Sequence, residues 1–154
     1  DGEVEVLATA AGSTIFREPT DLALAPDGSW VLADKTLQTL IGVTADGEAW
    51  LIASPGPLST VAFQGNTLYF GGESGTWSMK WPDGDPVSVD ARSTNGLHVW
   101  DGKMWGTNTA SRVYEVGGTL SIPVDGVRIP GRLAGTDTLY MSDWGLADVW
   151  AIEG

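Results

Sequence analysis

A single histidine, His98, and no cysteine leave this chain few groups able to carry a covalent or proton-transfer step. Without Cys there is no thiolate nucleophile, no thiolate metal site and no disulfide framework. His98 stands between Leu97 and Val99 on an apolar run, with no Gly-x-Ser-x-Gly elbow to serve, so no catalytic residue is expected. Phosphate-cradling loops and zinc spacings are absent too. Oxygen, by contrast, is plentiful: 20 Asp and Glu stand against 8 Lys and Arg, a formal net charge of −12. If any metal is held, it should be a hard, calcium-type divalent cation rather than zinc or copper. No other cofactor is expected. Tryptophan is the second resource, with eight in the chain. Trp144 follows Asp143, and an aromatic beside a polar group can stack a sugar or anchor a peptide.

The same charge excludes partners. Nucleic-acid binding needs Lys and Arg to displace counterions from phosphates, and an anionic membrane would repel this chain. No apolar run approaches the roughly 18 residues of a membrane helix, and residues 1–30 are not expected to act as a signal peptide. The bland reading of the acidic excess is a solubility coat, enriched by Asp-Gly turns. The chain opens on Asp1 rather than Met, which reads as a processed or excised piece. An extracytoplasmic or secreted location is the expectation.

What must position these residues is a repeat. Residues 95–118 read as three short antiparallel strands: Leu97 and Val99 alternate up to an Asp101-Gly102 turn, Met104-Trp105 follow, and Arg112 to Val116 stop at Gly117-Gly118. The unit occurs four times. Its second-strand aromatics are Trp30, Tyr69, Trp105 and Tyr140, at intervals of 39, 36 and 35 residues. Fourth strands are expected over 48–53, 86–90 and 119–124. A period of roughly 35–45 residues with four strands per unit is the signature of a β-propeller blade. The expected fold is all-β, one domain over 1–154, with four blades of four antiparallel strands. The blades span about 20–53, 54–91, 92–126 and 127–154, the last completed by residues 1–8.

That seam rests on a circular match: Ile152-Glu153-Gly154 running into Asp1-Gly2-Glu3-Val4 parallels Val43 to Ala49. A first strand that completes the last blade leaves no unpaired edge. Two other arrangements share the phase. The blades would also fit as part of a longer array, or as half of a larger ring shared with a second chain. Trp30, Trp77, Trp105 and Trp150 fall on repeat positions and are expected to pack between blades, as is Tyr140.

Blade topology sorts the polar residues onto two faces. Connections from fourth to first strand and from second to third open on one side. That side receives Glu18, Asp21, Asn95, Asn108, Arg132, Asp143 and Trp144, the candidate ligand-binding residues. The other side collects Asp27, Asp46, Asp83, Asp85, Asp101 and Asp137.

Three stretches carry resemblances. Residues 19–34, a proline, an apolar strand, Asp27-Gly28 and a strand ending in Ala33-Asp34, resemble the opening of an NHL repeat. Leu139-Tyr140-Met141-Ser142-Asp143-Trp144 is similar to the strand of YWTD propellers. Thr94-Asn95-Gly96-Leu97 followed by Asp101-Gly102 resembles the gluconolactonase and regucalcin group. These families usually carry six blades. The last resemblance implies oxygen ligands for a calcium-type ion at Glu18 and Asn95, with Asp21 or Asp143 substituting for the further Asn and Asp that the family uses, and hence a metal-dependent lactonase. Three function classes follow in order: a non-catalytic propeller binding a protein, peptide or carbohydrate on one face; a structural module, homo-oligomeric or completing a larger ring with another chain; and the metal-dependent hydrolase.

Overall fold

Alternating apolar residues broken by Gly- and Asp-rich turns leave little room for anything but short antiparallel strands, and seventeen are found among the described residues. The computed structural model describes residues 4–52, 55–110 and 112–152. A small hairpin, β1 (Ala10–Ala11) and β2 (Thr14–Ile15), comes first. The first blade is β3 (Pro19–Leu24), β4 (Trp30–Asp34), β5 (Thr39–Val43) and β6 (Ala49–Ile52). The second is β7 (Thr60–Gln64), β8 (Thr67–Gly72), β9 (Gly75–Lys80) and β10 (Val87–Asp90). The third is β11 (Gly96–Trp100), β12 (Lys103–Asn108), β13 (Arg112–Glu115) and β14 (Ser121–Pro123). The last is β15 (Pro130–Ala134), β16 (Leu139–Asp143) and β17 (Asp148–Ile152). Each sheet runs in sequence order, inner strand first, so the chain is an all-β, four-bladed propeller of antiparallel sheets.

Turn chemistry sets the register. Asp101 and Gly102 both take positive φ, 48° and 70°, the left-handed pair that joins two strands directly. Trp100 therefore faces Lys103, and Leu97 and Val99 share a face with Met104. That face meets Ala62 and Tyr69 of the second blade. Trp105 and Val113, on the opposite face, meet Leu133, Leu139, Met141 and Ile152 of the last. Between the first and second blades lie Val31, Ala33 and Leu40 against Val61, Leu68, Phe70 and Trp81. Each such Leu or Phe taken from water contributes about 1.5–3 kcal/mol, so the three inter-blade layers hold the molecule together.

Two expectations need correction. Residues 4–8 do not complete the last blade: they have no strand partner, and the last sheet ends at β17 among the described residues. The Leu7 carbonyl lies over Gly47 instead, and Ala8, Ala11 and Phe16 cover Trp30, Leu32, Ile41 and Val43 of the first blade. The physical reason is apolar cover: without this segment the far side of blade one would leave a Trp, a Leu and an Ile in water. Residues 1–3 and 153–154 of the seam lie outside the described residues. Tyr140 is likewise not core. It is 46% exposed, whereas Trp105 at the equivalent position is 5% exposed, because no blade follows Tyr140.

The inner strands β3, β7, β11 and β15 pack side by side in that order. Among the described residues β15 does not return to pack on β3 as the other neighbours do. A cavity of about 360 Å³ runs down the axis between the four inner strands.

Candidate ligand-binding face

At the start of each inner strand the backbone turns its carbonyl toward the axis. Thr20, Ser59 and Asn95 occupy equivalent places in blades one to three, and their carbonyl oxygens converge on one cation. Arg132, from β15 of the last blade, donates Nη2–H bonds to Thr20 O and Ser59 O and an Nη1–H bond to Asn95 O, each 2.6 Å. Its Nη1 lies 3.3 Å from Asp21 Oδ2. A planar guanidinium with five donors suits such a convergence in a way a lysine does not. Burial pushes the Arg132 pKa below its ordinary value, partly offset by Asp21. An arginine nevertheless stays charged at any physiological pH.

Neighbouring blades are laced around this point. Asp21 Oδ2 accepts the Thr60 hydroxyl at 2.7 Å and the Val61 N–H at 2.9 Å. Thr60 Oγ1 accepts the Leu97 N–H, and Thr20 Oγ1 donates to Ser59 O. Asn95 Nδ2 donates to Pro130 O at 2.8 Å, and Thr107 Oγ1 to Gly131 O at 2.6 Å. Beneath them the Thr94 hydroxyl sits between Thr76 Oγ1 and the Tyr114 hydroxyl, which also donates to Ser93 O. Burial pushes the Tyr114 phenol above its ordinary value, opposed by its bond to Thr94. It is therefore a neutral hydroxyl at pH 7.

Asp143 has another task. It closes β16, almost fully buried, with Oδ2 accepting the Arg128 N–H and Oδ1 those of Ile129 and Gly145 at 2.8–3.0 Å. Burial works against its charge, but the N–H groups of Arg128, Ile129, Gly145 and Leu146 outweigh it and hold the carboxyl below the usual range. Asp34 does the same in blade one, accepting from Arg17, Glu18 and Leu37. In blade three the place is taken by Asn108, whose Oδ1 accepts the Ala110 N–H. In blade two it is Gly72, where a side chain would strike the Pro57 carbonyl. Asp34 and Asp143 thus tie the entry loops of the first and last blades to their second strands.

Of the predicted set, Asp21, Asn95 and Arg132 come together at the axis. Glu18 is an exposed loop residue accepting the Thr36 hydroxyl, and Asn108 and Asp143 are spent on backbone N–H groups. The calcium-type site implied by resemblance does not fit this arrangement. Both Asp143 oxygens are engaged, Glu18 stands apart in its loop on Thr36, and the axial carbonyls already surround a guanidinium cation. Among the described residues no group of three or more His, Asp or Glu side chains is placed to share a metal. His98 Nε2 lies 2.7 Å from Gly135 O, so it carries the proton there and joins blade three to blade four.

On this face a recess of about 230 Å³ is bordered by Lys35, Ser59, Glu73, Asn95, Thr109 and Trp144; a larger, apolar cavity of about 470 Å³ lies elsewhere, between residues 5–8 and blade one. Trp144 is 54% exposed, and the Arg132 guanidinium carbon lies 5.7 Å from its ring centroid, within cation–π range. Lys35 and Glu73, both exposed, bring one charge of each sign to the rim. Sequence reasoning placed Arg132 and Trp144 on the right face but missed Ser59. The signal was present, since Ser59 stands two residues before Val61 as Thr20 stands two before Leu22 and Asn95 two before Leu97.

No protein-family model and no curated protein matches this sequence. Solved structures do match in fold. One is a streptogramin B lyase, with TM-score 0.72 and 13% identity over 88% of this chain and 51% of that chain. Another is the nidogen/laminin complex, with TM-score 0.75 and 15% identity over 88% of this chain and 59% of that one. This chain spans only about half the length of each of these two chains. A third is the computationally designed protein Ika4, with TM-score 0.67 and 12% identity over 98% of this chain and 99% of that one.

Proposed function

We propose that this propeller is a non-catalytic recognition module that holds a polar peptide or a saccharide in the recess under Trp144. One observation carries the reading: the half-exposed Trp144 indole borders a recess that Ser59 and Asn95 also line, and the Arg132 bonds fix the carbonyls of those two residues. A rigid aromatic with satisfied polar groups behind it recognises by stacking and shape, at little entropic cost. The groups that would have to move protons are engaged elsewhere, His98 on Gly135 and Tyr114 in the Thr94 network. The fold is compatible with this reading, since it is shared by a nidogen domain solved with laminin. It is shared by lyases as well, so the fold alone does not choose.

The test is a panel of immobilised oligosaccharides and short polar peptides probed with the parent protein and with Trp144→Ala. The reading expects at least one saturable binder, weakened ten-fold or more by the substitution while the far-ultraviolet spectrum is unchanged. A ligand retained fully by Trp144→Ala would contradict it. A binder that the parent protein converts to product would favour an enzyme instead.

A further inference from the structure

Repeat equivalence shows what each blade face is built to meet. On the face turned toward the preceding blade, Val61, Leu97 and Leu133 are 4%, 6% and 7% exposed, but Leu22 at the same place in blade one is 52% exposed and Leu24 55%. On the face turned toward the following blade, Val31 and Leu40 are fully buried, as is Val113 beside Trp105. Their counterparts in the last blade, Tyr140 and Val149, are 46% and 73% exposed. The molecule thus ends in two apolar blade faces of opposite kind. Each is the complement of the other, in a contact this chain already makes three times between its own blades. Among the described residues they do not cover one another, since Leu22, Leu24, Tyr140 and Val149 all stay exposed and β15 reaches β3 mainly through the Arg132 side chain.

A second mismatch lies at the same ends. Among the described residues the last sheet stops at β17, whose outer edge pairs with no strand, a surface that invites another strand. Residues 4–8 form an exposed segment without a strand partner, laid over blade one beside its open face. Val4 and Val6, alternating in an extended pattern, are 97% and 75% exposed. Among the described residues the one buried side-chain donor without an acceptor, the Trp150 indole N–H, is on β17 as well.

We infer that this chain associates head to tail with a second copy of itself: the Tyr140/Val149 face of one copy covers the Leu22/Leu24 face of the other, and residues 4–8 of that other copy add to the β17 edge as the fourth strand. One docking satisfies both mismatches, because the N-terminal segment already lies on the face that would receive the blade. It also places between copies the strand pairing that the circular sequence match predicts within one chain. In that match Val4 corresponds to Ala49 and Ile152 to Val43, and Ala49 faces Val43 across β5 and β6. Glu5 would therefore lie opposite Ala151 of the other copy. Association by exchange of an identical element needs no surface beyond those the fold already uses.

The experiment is sedimentation velocity over a wide concentration range on the full chain of 16.2 kDa, on Val149→Lys, and on the single variants Glu5→Cys and Ala151→Cys. The substituted residues are exposed, and the native chain has no Cys to confuse the reading. The expected result is a parent mass at least double that of the monomer, and a monomeric Val149→Lys with unchanged circular dichroism. Oxidation of Glu5→Cys mixed with Ala151→Cys should give a covalent dimer that neither variant gives alone. A parent that stays monomeric throughout overturns the inference. So does an associated Val149→Lys, failure of the mixture to cross-link, or an intrachain disulfide formed at monomer mass in the doubly substituted chain.

Discussion

Asp21 and Arg132, from the first and last blades, meet at 3.3 Å beside the axis, the carboxylate bonded to blade two and the guanidinium to carbonyls of blades one, two and three. All four blades are thereby pinned by one ion pair and its hydrogen bonds. The arrangement explains how a chain whose first and last inner strands do not pack together keeps a fixed axis.

Arg132→Met should be costly. It strips a cation from three carbonyls and from Asp21, groups that are only partly exposed, so a loss of about 2–4 kcal/mol is expected from charged hydrogen bonds of this kind. Arg132→Lys keeps the charge but lacks the fork, and should recover less than half. Urea denaturation of the three proteins measures this. Equal midpoints would show that the carbonyl cluster does not depend on the guanidinium.

Trp105 and Tyr140 share a repeat position but not an environment. Trp105→Ala should cost about 3–5 kcal/mol, as large aromatic truncations in cores do. Tyr140→Ala, measured at a concentration where the chain is monomeric, should stay within about 0.5 kcal/mol. Comparable losses at both sites would mean that a neighbouring surface covers Tyr140 in the monomer.

Acid should unfold the protein through its bonded carboxylates. Burial opposes ionisation of Asp90, but bonds from Arg92 and from the Gly117 N–H outweigh it and hold the carboxyl below its ordinary 3.8. Asp143 is held down in the same direction. A carboxyl depressed by folding contributes stability that is complete above its unfolded pKa and is lost as pH falls through the folded value. Stability should therefore hold at neutral pH and decline below about pH 4. Asp90→Asn should be less stable at pH 7 and show a shallower acid limb. A parallel acid limb in that variant would remove Asp90 from the account.

Calcium should find no tight site near the axis. Calorimetric titration at moderate salt on the parent and on Asn95→Ala is expected to give only weak, salt-sensitive heats, the same in both. A single tight site abolished by Asn95→Ala would restore the lactonase reading and require Arg132 to swing aside.

Much of the fold was legible because its cues are local. The Asp101-Gly102 turn, the alternation of Leu97 and Val99 and the recurrence of Trp105 all act within a few residues of themselves. The seam was not, because residues 4–8 suit a strand edge and an apolar face equally well, and only the need of Trp30 and Ile41 for cover decides between them. Asp143 could not be assigned from sequence either. An Asp at a strand end looks the same whether it meets an ion, water or the N–H groups of Arg128 and Ile129. Arg132 was placed on the right face, but its role depends on three carbonyls, which every residue has.

The recognition claim is tested most directly at Trp144 itself. The eight Trp residues give eight indole N–H signals in a nitrogen-15 correlation spectrum, and Trp144→Phe identifies one of them. Each member of the oligosaccharide and peptide panel is titrated into the labelled parent. The account predicts that any true binder moves the Trp144 signal furthest and saturably, with smaller shifts at buried Trp105 and Trp81. Binders that leave Trp144 unmoved, or act through Trp50 and Trp100 instead, would contradict it.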